Sequence, residues 1–252
     1  MAVQSRAVKA EESWFASATS AVEQTSRSVA EATVVAQPRE RSETASRVLN
    51  VGLALLALIA LSPLMLVLAI LVKLTSRGPI FYTQTRVGLD RRRRRPATPA
   101  MVHRRRDDIG GRAFTIYKFR TMCVNAEHLT GAVWAAKEDP RVTPIGRPLR
   151  KYRLDELPQI LNVILGDMNI VGPRPERPSI FASLRTTIPA YDYRQQVKPG
   201  ITGLAQVNQQ YDTNLDDVRN KVRFDLEYLR RQSIWEDIRI MLKTVPVILF
   251  KR

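Results

Sequence analysis

Residues 48–72, VLNVGLALLALIALSPLMLVLAILV, decide how this chain is laid out. The stretch carries no charge, and its strongly polar residues are Asn50 and Ser62. As a helix at about 1.5 Å per residue it is roughly 37 Å long, enough to cross a bilayer core of about 30 Å. Length alone therefore predicts a transmembrane helix. Two features argue otherwise. Ser62-Pro63 lies near the middle, where the proline removes a helical hydrogen bond and the serine hydroxyl can take up a freed carbonyl. Both flanks are basic, with Arg39, Arg41 and Arg47 before the run and Lys73, Arg77 and Arg86 after it. Basic flanks belong on the cytoplasmic side, and a span would put one of them outside. The reading that satisfies both is a re-entrant helix-break-helix that dips into the inner leaflet and returns. A simple span, with the preceding tail across the membrane, is the competing topology.

The formal charge of +16 is unevenly spread, with twelve Lys and Arg against three Asp between Lys73 and Arg112. Beside an apolar anchor such charge attracts anionic inner-leaflet lipids, at about 1 kcal/mol per residue near the surface. Nucleic acid is not the expected partner, because the basic cluster lacks the interleaved aromatics on which bases stack. The single cysteine, Cys123, forms no intrachain disulfide, and His103 and His128 are too few for a multi-histidine metal site or a Ser-His-Asp triad. A metal in this chain would be a hard cation held by carboxylate and phosphate oxygens. The Ser/Ala/Glu/Thr-rich segment 1–46 reads as a disordered polar tail, with at most a helical turn around Trp14-Phe15, and not as a signal peptide.

After the anchor the pattern changes. Ile80–Thr85 and Ala113–Arg120 are β-prone and predict a hairpin, separated by a basic, proline-containing segment over 89–111. That loop is either a solvated charge run or a headgroup-binding surface, and the adjacent anchor favours the second. Short helices are expected near Val124–Leu129, at Arg147–Tyr152 and over Asp155–Leu165, with a Gly/Trp stretch at Gly131–Trp134. Ser179–Arg185 and Tyr191–Gln196 read as helical, and Pro199–Gly203 as a turn into a short strand, Leu204–Val207. Two helices close the chain. Leu215, Val218, Val222, Leu226 and Leu229 keep helical spacing in the first; the second, Ile234 to about Phe250, is apolar enough to be either a core helix or an interfacial one.

Three places offer chemistry. In Arg153-Leu-Asp155-Glu156-Leu-Pro158 the proline suits a first helical turn, which puts Asp155 near the N-cap. Asp155 is then either a plain cap or, with Glu156, Arg150 and Arg153, part of a metal and phosphate site. One carboxylate of such a pair can attack phosphorus while the other holds a divalent cation. In Gly172-Pro173-Arg174-Pro175 two prolines fix the backbone around a guanidinium suited to bidentate phosphate contact, although a rigid surface turn would look the same. Lys118 and Arg120, as i and i+2 on a strand, share a face that is either solvated or anion-binding.

GPIFYTQTRVG (78–88), YKFRTM (117–122), DPRVTPIGRPLRKYRLDELPQILNVILGDMNIVGPRP (139–175) and KPGITGLAQVN (198–208) together resemble the bacterial sugar transferases, the monotopic phosphoglycosyl transferases. The likeness runs from about residue 46 to the C-terminus and joins the three separate site signals. It implies transfer of a sugar-1-phosphate from a UDP-sugar to a polyprenyl phosphate such as undecaprenyl phosphate, the first membrane step of exopolysaccharide or O-antigen synthesis. It implies Asp155 as the nucleophile that forms an aspartyl phosphosugar, and Glu156 with Asp155 as ligands of Mg2+. Pro173, Arg174 and Pro175 would hold the nucleotide and phosphate, with Lys118, Arg120, Arg150 and Arg153 as further anion partners. It also implies the re-entrant anchor broken at Ser62-Pro63, an inner-membrane location and a catalytic domain on the cytoplasmic face.

The chain departs from the family pattern in its long basic insertion, and it resembles the small form that lacks further upstream spans. The expected fold is α+β and helix-rich. It comprises the tail 1–46, the membrane segment 47–73, and a cytoplasmic catalytic domain over 74–252 with a small β-hairpin and interfacial amphipathic helices. A homodimer through the C-terminal part stays open. The competing function is a membrane-tethered polybasic lipid-binding module without catalysis, for which the Asp-Glu and Pro-Arg-Pro motifs would have no use.

Overall fold

The computed structural model describes residues 38–91, 109–124, 126, 139–209 and 214–250. The expected tail up to residue 37, most of the basic insertion (92–108), nearly all of the turn near Val124–Leu129, and Gly131–Trp134 lie outside the described residues.

The apolar run forms one helix, α1 (Glu43–Thr75), 33 residues long. Ser42 caps it, its Oγ accepting from the Ala45 amide at 3.2 Å, and Glu43 and Lys73 complement the dipole at either end. The helix continues through Pro63, so the expected break is not a gap in the secondary structure. Pro63 has no N–H to offer the carbonyl of Ile59, and the Ser62 hydroxyl donates to that carbonyl at 2.9 Å. The serine thus repairs locally what the proline removes.

A stripe of α1 packs against the remainder of the chain along nearly its whole length. Ala54, with Ala57, Leu58 and Leu61, joins a core of Phe114, Ile116, Ile160, Val163 and Met168. Leu68 and Val72, with Met65 and Ala69, join another around Phe119 and Leu149. The opposite face is apolar and bare: Val48, Leu56, Ile59, Leu66 and Leu74 are 63% to 77% exposed. Such a face exceeds what a water-soluble surface normally shows.

Strands β1 (Phe81–Val87) and β2 (Ala113–Phe119) pair antiparallel from Phe81↔Phe119 to Val87↔Ala113, the expected hairpin. Helix α2 (Gly146–Lys151) leads to a 3-10 helix, Leu154–Gln159, and then α3 (Ile160–Leu165). The single helix expected over Asp155–Leu165 is therefore two pieces, and Asp155 lies inside the first turn instead of capping it. Arg153 holds the cap position in a left-handed conformation (φ 53°), and Pro158 lies inside the 3-10 helix.

Strand β3 (Asn169–Val171) pairs in parallel with β4 (Gly200–Thr202). Their approach is tight: a Cβ on Gly172 would meet the Lys198 carbonyl, and one on Gly200 the Gly172 amide. Between them lie α4 (Pro178–Thr187) and a second 3-10 helix, Tyr191–Gln196. The expected strand Leu204–Val207 is instead a helix, α5 (Leu204–Asn208), and the strand precedes it. A four-residue segment with three apolar positions carries no period that separates the two states, and here Leu204, Ala205 and Val207 are buried on a helical turn. The closing helices are α6 (Leu215–Arg231) and α7 (Ile234–Phe250). The α7 helix is both a core and a surface element: Ile240 is fully buried, while Trp235, Leu242 and Val245 are 80%, 69% and 55% exposed.

Candidate active site

Asp155 and Glu156 are brought to β2 by a side chain acting as a strand surrogate. Asn162, fully buried on α3, donates to the Thr115 carbonyl at 2.7 Å and accepts from the Tyr117 amide at 3.2 Å. Two bonds to the β2 backbone fix the register, and Lys118, next along the strand, reaches Glu156 Oε1 with Nζ at 2.8 Å. Arg174 meets the same carboxylate from the Gly172–Pro175 loop, Nη2 to Oε1 at 2.6 Å and Nη1 to Oε2 at 3.3 Å, a charge-assisted fork. Arg153 adds a third cation at 3.9 Å.

The two neighbouring carboxylates differ in their company. Burial by itself would raise the Glu156 pKa, but Arg174, Lys118 and Arg153 outweigh it and hold the group well below the ordinary carboxylate range. For Asp155 the balance tips the other way. Burial raises its pKa, and Lys118, Arg174 and Arg150 offset this only in part. Its closest ionic contact is Lys118 Nζ at 3.9 Å, and no hydrogen bond to its carboxylate is found among the described residues. Its side chain is 13% exposed, and those of Arg153 and Arg174 are 26% and 32% exposed. A largely desolvated anion lacking close donors thus lies beside cations that face outward. Such a site draws in an anionic ligand and presents a carboxylate oxygen to it.

A cavity of about 180 Å³ opens next to this cluster. Arg153 and Glu156 form its charged side; Leu157, Ile160, Ile201, Val207, Val247 and Ile248 are among its apolar walls.

Of the sequence candidates, Asp155, Glu156, Lys118, Arg153 and Arg174 converge. Arg150 acts on Asp155 only through its charge. Pro173 and Pro175 frame Arg174, with the Pro173 carbonyl accepting from the Gly200 amide at 3.0 Å. Arg120 does not join them through any contact: its Nη2 donates to the Ser76 carbonyl and Oγ, both at 2.7 Å, at the C-terminal end of α1. It is a buried tether between β2 and the anchor.

A second ionic cluster, which the sequence reading missed, lies behind the Arg174 loop. Arg194, fully buried, forms a 2.7 Å ion pair with Asp225 and a 3.6 Å one with Glu176, and Lys221 pairs with Glu176 at 2.7 Å. One signal was available, since Asp225 interrupts the apolar stripe of α6 between Val222 and Leu229.

The family model of the bacterial sugar transferases matches residues 41–251. A UDP-N-acetylgalactosamine-undecaprenyl-phosphate N-acetylgalactosaminephosphotransferase of Aeromonas hydrophila is 42% identical over 203 residues, 81% of this chain and 43% of that protein. A UDP-glucose:undecaprenyl-phosphate glucose-1-phosphate transferase of Xanthomonas campestris pv. campestris is 42% identical over 199 residues, 78% of this chain and 37% of that protein. Another of that description, from Caulobacter vibrioides, is 38% identical over 214 residues, 84% of this chain and 72% of that protein. The chain thus spans about two fifths of the length of the first two relatives and nearly three quarters of the third. With the match covering the anchor, both carboxylates and the Arg174 loop, this chain belongs to the bacterial sugar transferase family.

Proposed function

We propose that this chain transfers a sugar-1-phosphate from a UDP-sugar to undecaprenyl phosphate, with Asp155 as the nucleophile. The observation that carries the reading is the buried Asp155 carboxylate beside Lys118 at 3.9 Å, next to a Glu156 held by Lys118, Arg153 and Arg174. The printed activities of the relatives supply the reaction class. An Asp155 oxygen attacks the β-phosphorus of the donor; a carboxyl–phosphorus bond forms, the bond to the bridging oxygen breaks, and UMP leaves with the electron pair. A phosphate oxygen of the lipid then attacks the aspartyl phosphosugar and releases Asp155. Neither step needs a histidine base, because the acceptor is already an anion. Lys118 and Arg174 hold Glu156 in place, and Arg174 and Arg153 meet the incoming phosphates.

The donor set suits Mg2+. Glu156 Oε1 is taken by Lys118 and Arg174, but Oε2 carries only contacts of 3.3 Å and 3.9 Å, and Asp155 adds further hard oxygens. No group of three acidic, His or Cys side chains is found among the described residues, so substrate oxygens would complete the coordination. Bound there, the ion would neutralise charge on the donor diphosphate.

The contacts of α1 favour the re-entrant topology on the cytoplasmic face of the inner membrane. At its N-terminal end Arg41 pairs with Asp237 at 2.8 Å, Arg47 donates to the Val163 and Ile164 carbonyls at 2.5 and 2.6 Å, and Asn50 accepts from the Ile170 amide at 2.7 Å. At its C-terminal end Ser76 is held by Arg120. Contacts at both ends of the helix to the same domain support that reading, and its bare face is left for lipid.

The decisive experiment is UMP release from UDP-sugars in the presence and absence of undecaprenyl phosphate, run across the glucose, galactose and N-acetylhexosamine donors. Wild type consumes one donor, and Asp155→Asn is inactive. Turnover persisting in that variant rules out Asp155 as nucleophile. A chain that binds anionic vesicles but consumes none of these donors is a tether and not a transferase.

A further inference from the structure

The loop that carries Arg174 is held by its carbonyls. In four consecutive residues each backbone oxygen has its own donor. Pro173 O accepts from the Gly200 amide at 3.0 Å, Arg174 O from Arg194 Nη2 at 3.0 Å, Pro175 O from Arg86 Nη1 at 3.1 Å, and Glu176 O from the Val87 amide at 2.9 Å. Two of the four donors are guanidinium groups, and they come from different elements: Arg86 from β1, Arg194 from the Tyr191–Gln196 turn.

We infer that Arg194, assisted by Arg86, is a positioning residue that sets the direction of the Arg174 guanidinium by gripping the two peptide carbonyls on either side of Pro175. The inference rests on the transferase reading above.

The geometry around Arg194 explains why an arginine is needed. Its planar head reaches three groups at once: Nη1 donates to the Tyr191 hydroxyl at 2.8 Å, while Nη2 serves both the Arg174 carbonyl and the Asp225 carboxylate. Asp225 fixes the head to α6, and the 5.0 Å approach of the guanidinium to the Tyr191 ring adds a cation–π contact. A lysine keeps the charge and can satisfy Asp225, but a single ammonium on a flexible stem cannot reproduce the fork. Arg86 is braced in the same way, Nη2 donating to Gln84 Oε1 at 2.6 Å while Nη1 holds the loop. With its backbone gripped in this way, Arg174 keeps a side chain that is 32% exposed.

The test is the steady-state kinetics of Arg194→Lys and Arg86→Lys, each alone and combined with Arg174→Ala, with thermal melting of every variant. A positioning role raises KM for the UDP-sugar about tenfold in either single variant, with kcat falling much less. The same substitution has no further effect once Arg174 is alanine, because the group being aimed is gone. A merely structural role lowers the melting temperature and the active fraction, leaves KM unchanged, and adds fully to Arg174→Ala; that result overturns the inference. If Arg194→Lys does not fold, the half-buried Arg86 still decides the question by the same criteria. Absence of UMP release from wild type with every donor overturns the transferase reading, and the inference with it. Wild-type turnover with an unchanged KM in both lysine variants overturns the inference alone.

Discussion

Two six-residue 3-10 helices, Leu154–Gln159 and Tyr191–Gln196, are built alike and used differently. Each is entered through a non-glycine residue in the left-handed region, Arg153 at φ 53° and Ala190 at φ 60°. Each delivers charge into a cluster of acids and bases: Asp155 and Glu156 from the first, Arg194 from the second. In the second cluster the side chains are 0% to 12% exposed and the acids Glu176 and Asp225 are matched by Lys221 and Arg194. In the first, cations outnumber acids, two of them reach solvent, and among the described residues Asp155 has no ionic contact closer than 3.9 Å. A buried ionic cluster acts as a brace when each acid has a cation in close contact, and as a reaction site when one acid lacks it and the cations face out.

The sharpest way to break the comparison is to neutralise one acid in each cluster. Asp155→Asn lowers UMP release by at least about 10³-fold, the scale expected for loss of a nucleophile. Its melting temperature holds or rises, since burial already disfavours the ionised carboxylate. Glu176→Gln does the reverse. It leaves Lys221 and Arg194 short of a counter-charge in a sealed site and costs about 3–5 kcal/mol of stability, read by denaturant unfolding. If both variants lose activity and stability together, the clusters are not functionally distinct.

Acid separates them more finely. Burial alone would raise the Glu176 pKa, yet Lys221, Arg194 and Arg86 bring it down to about 2. Because the folded value is depressed, its stabilisation is fully present above the unfolded value of about 4.5. As pH falls from there to 2, roughly 3 kcal/mol is lost. Asp155, with a raised pKa, has the opposite sign. Its acid limb in kcat/KM lies above the range of an ordinary aspartate, so kcat/KM falls on acidification before the brace weakens. Lys118→Met removes a charge that favours the ionised Asp155 and moves that limb to still higher pH. An unchanged limb in that variant would mean that another group sets it.

The first cluster was legible in the sequence and the second was not, for a physical reason. Asp155-Glu156 and Pro173-Arg174-Pro175 are short continuous motifs, each open to a bland reading alone, and the family resemblance of the stretches that carry them singles them out. Arg194, Glu176, Lys221 and Asp225 come from three elements and acquire meaning only when those elements pack. Asp225 alone betrays itself, as a charge at an apolar position of α6. The hairpin and the closing helices were equally readable from alternation and helical spacing. Arg120 shares the strand pattern with Lys118, but its guanidinium is bonded to Ser76 at the end of α1, a contact between distant segments that no local pattern announces. Leu204–Val207 is a helix where a strand is expected, because four residues, three of them apolar, are too short to show a period. At Ser62-Pro63 the hydroxyl takes up the carbonyl that the proline abandons, as expected, while α1 runs on as a helix through the pair.

The smallest expected effect concerns the two left-handed entries themselves. A left-handed conformation costs an L-residue about 1–2 kcal/mol, and glycine avoids that cost while losing about 0.5–1 kcal/mol to its own unfolded-state entropy. Ala190→Gly therefore gains about 0.5–1 kcal/mol in denaturant unfolding and leaves kcat and KM unchanged, because Ala190 contributes only backbone to the closed cluster. Arg153→Gly relaxes its turn by the same amount, but it removes a cation from the open cluster at 3.9 Å from Glu156. It gains stability and raises KM for the donor. Equal behaviour of the two glycine variants in the kinetic assay would mean that Arg153 serves only to enter its turn, as Ala190 does.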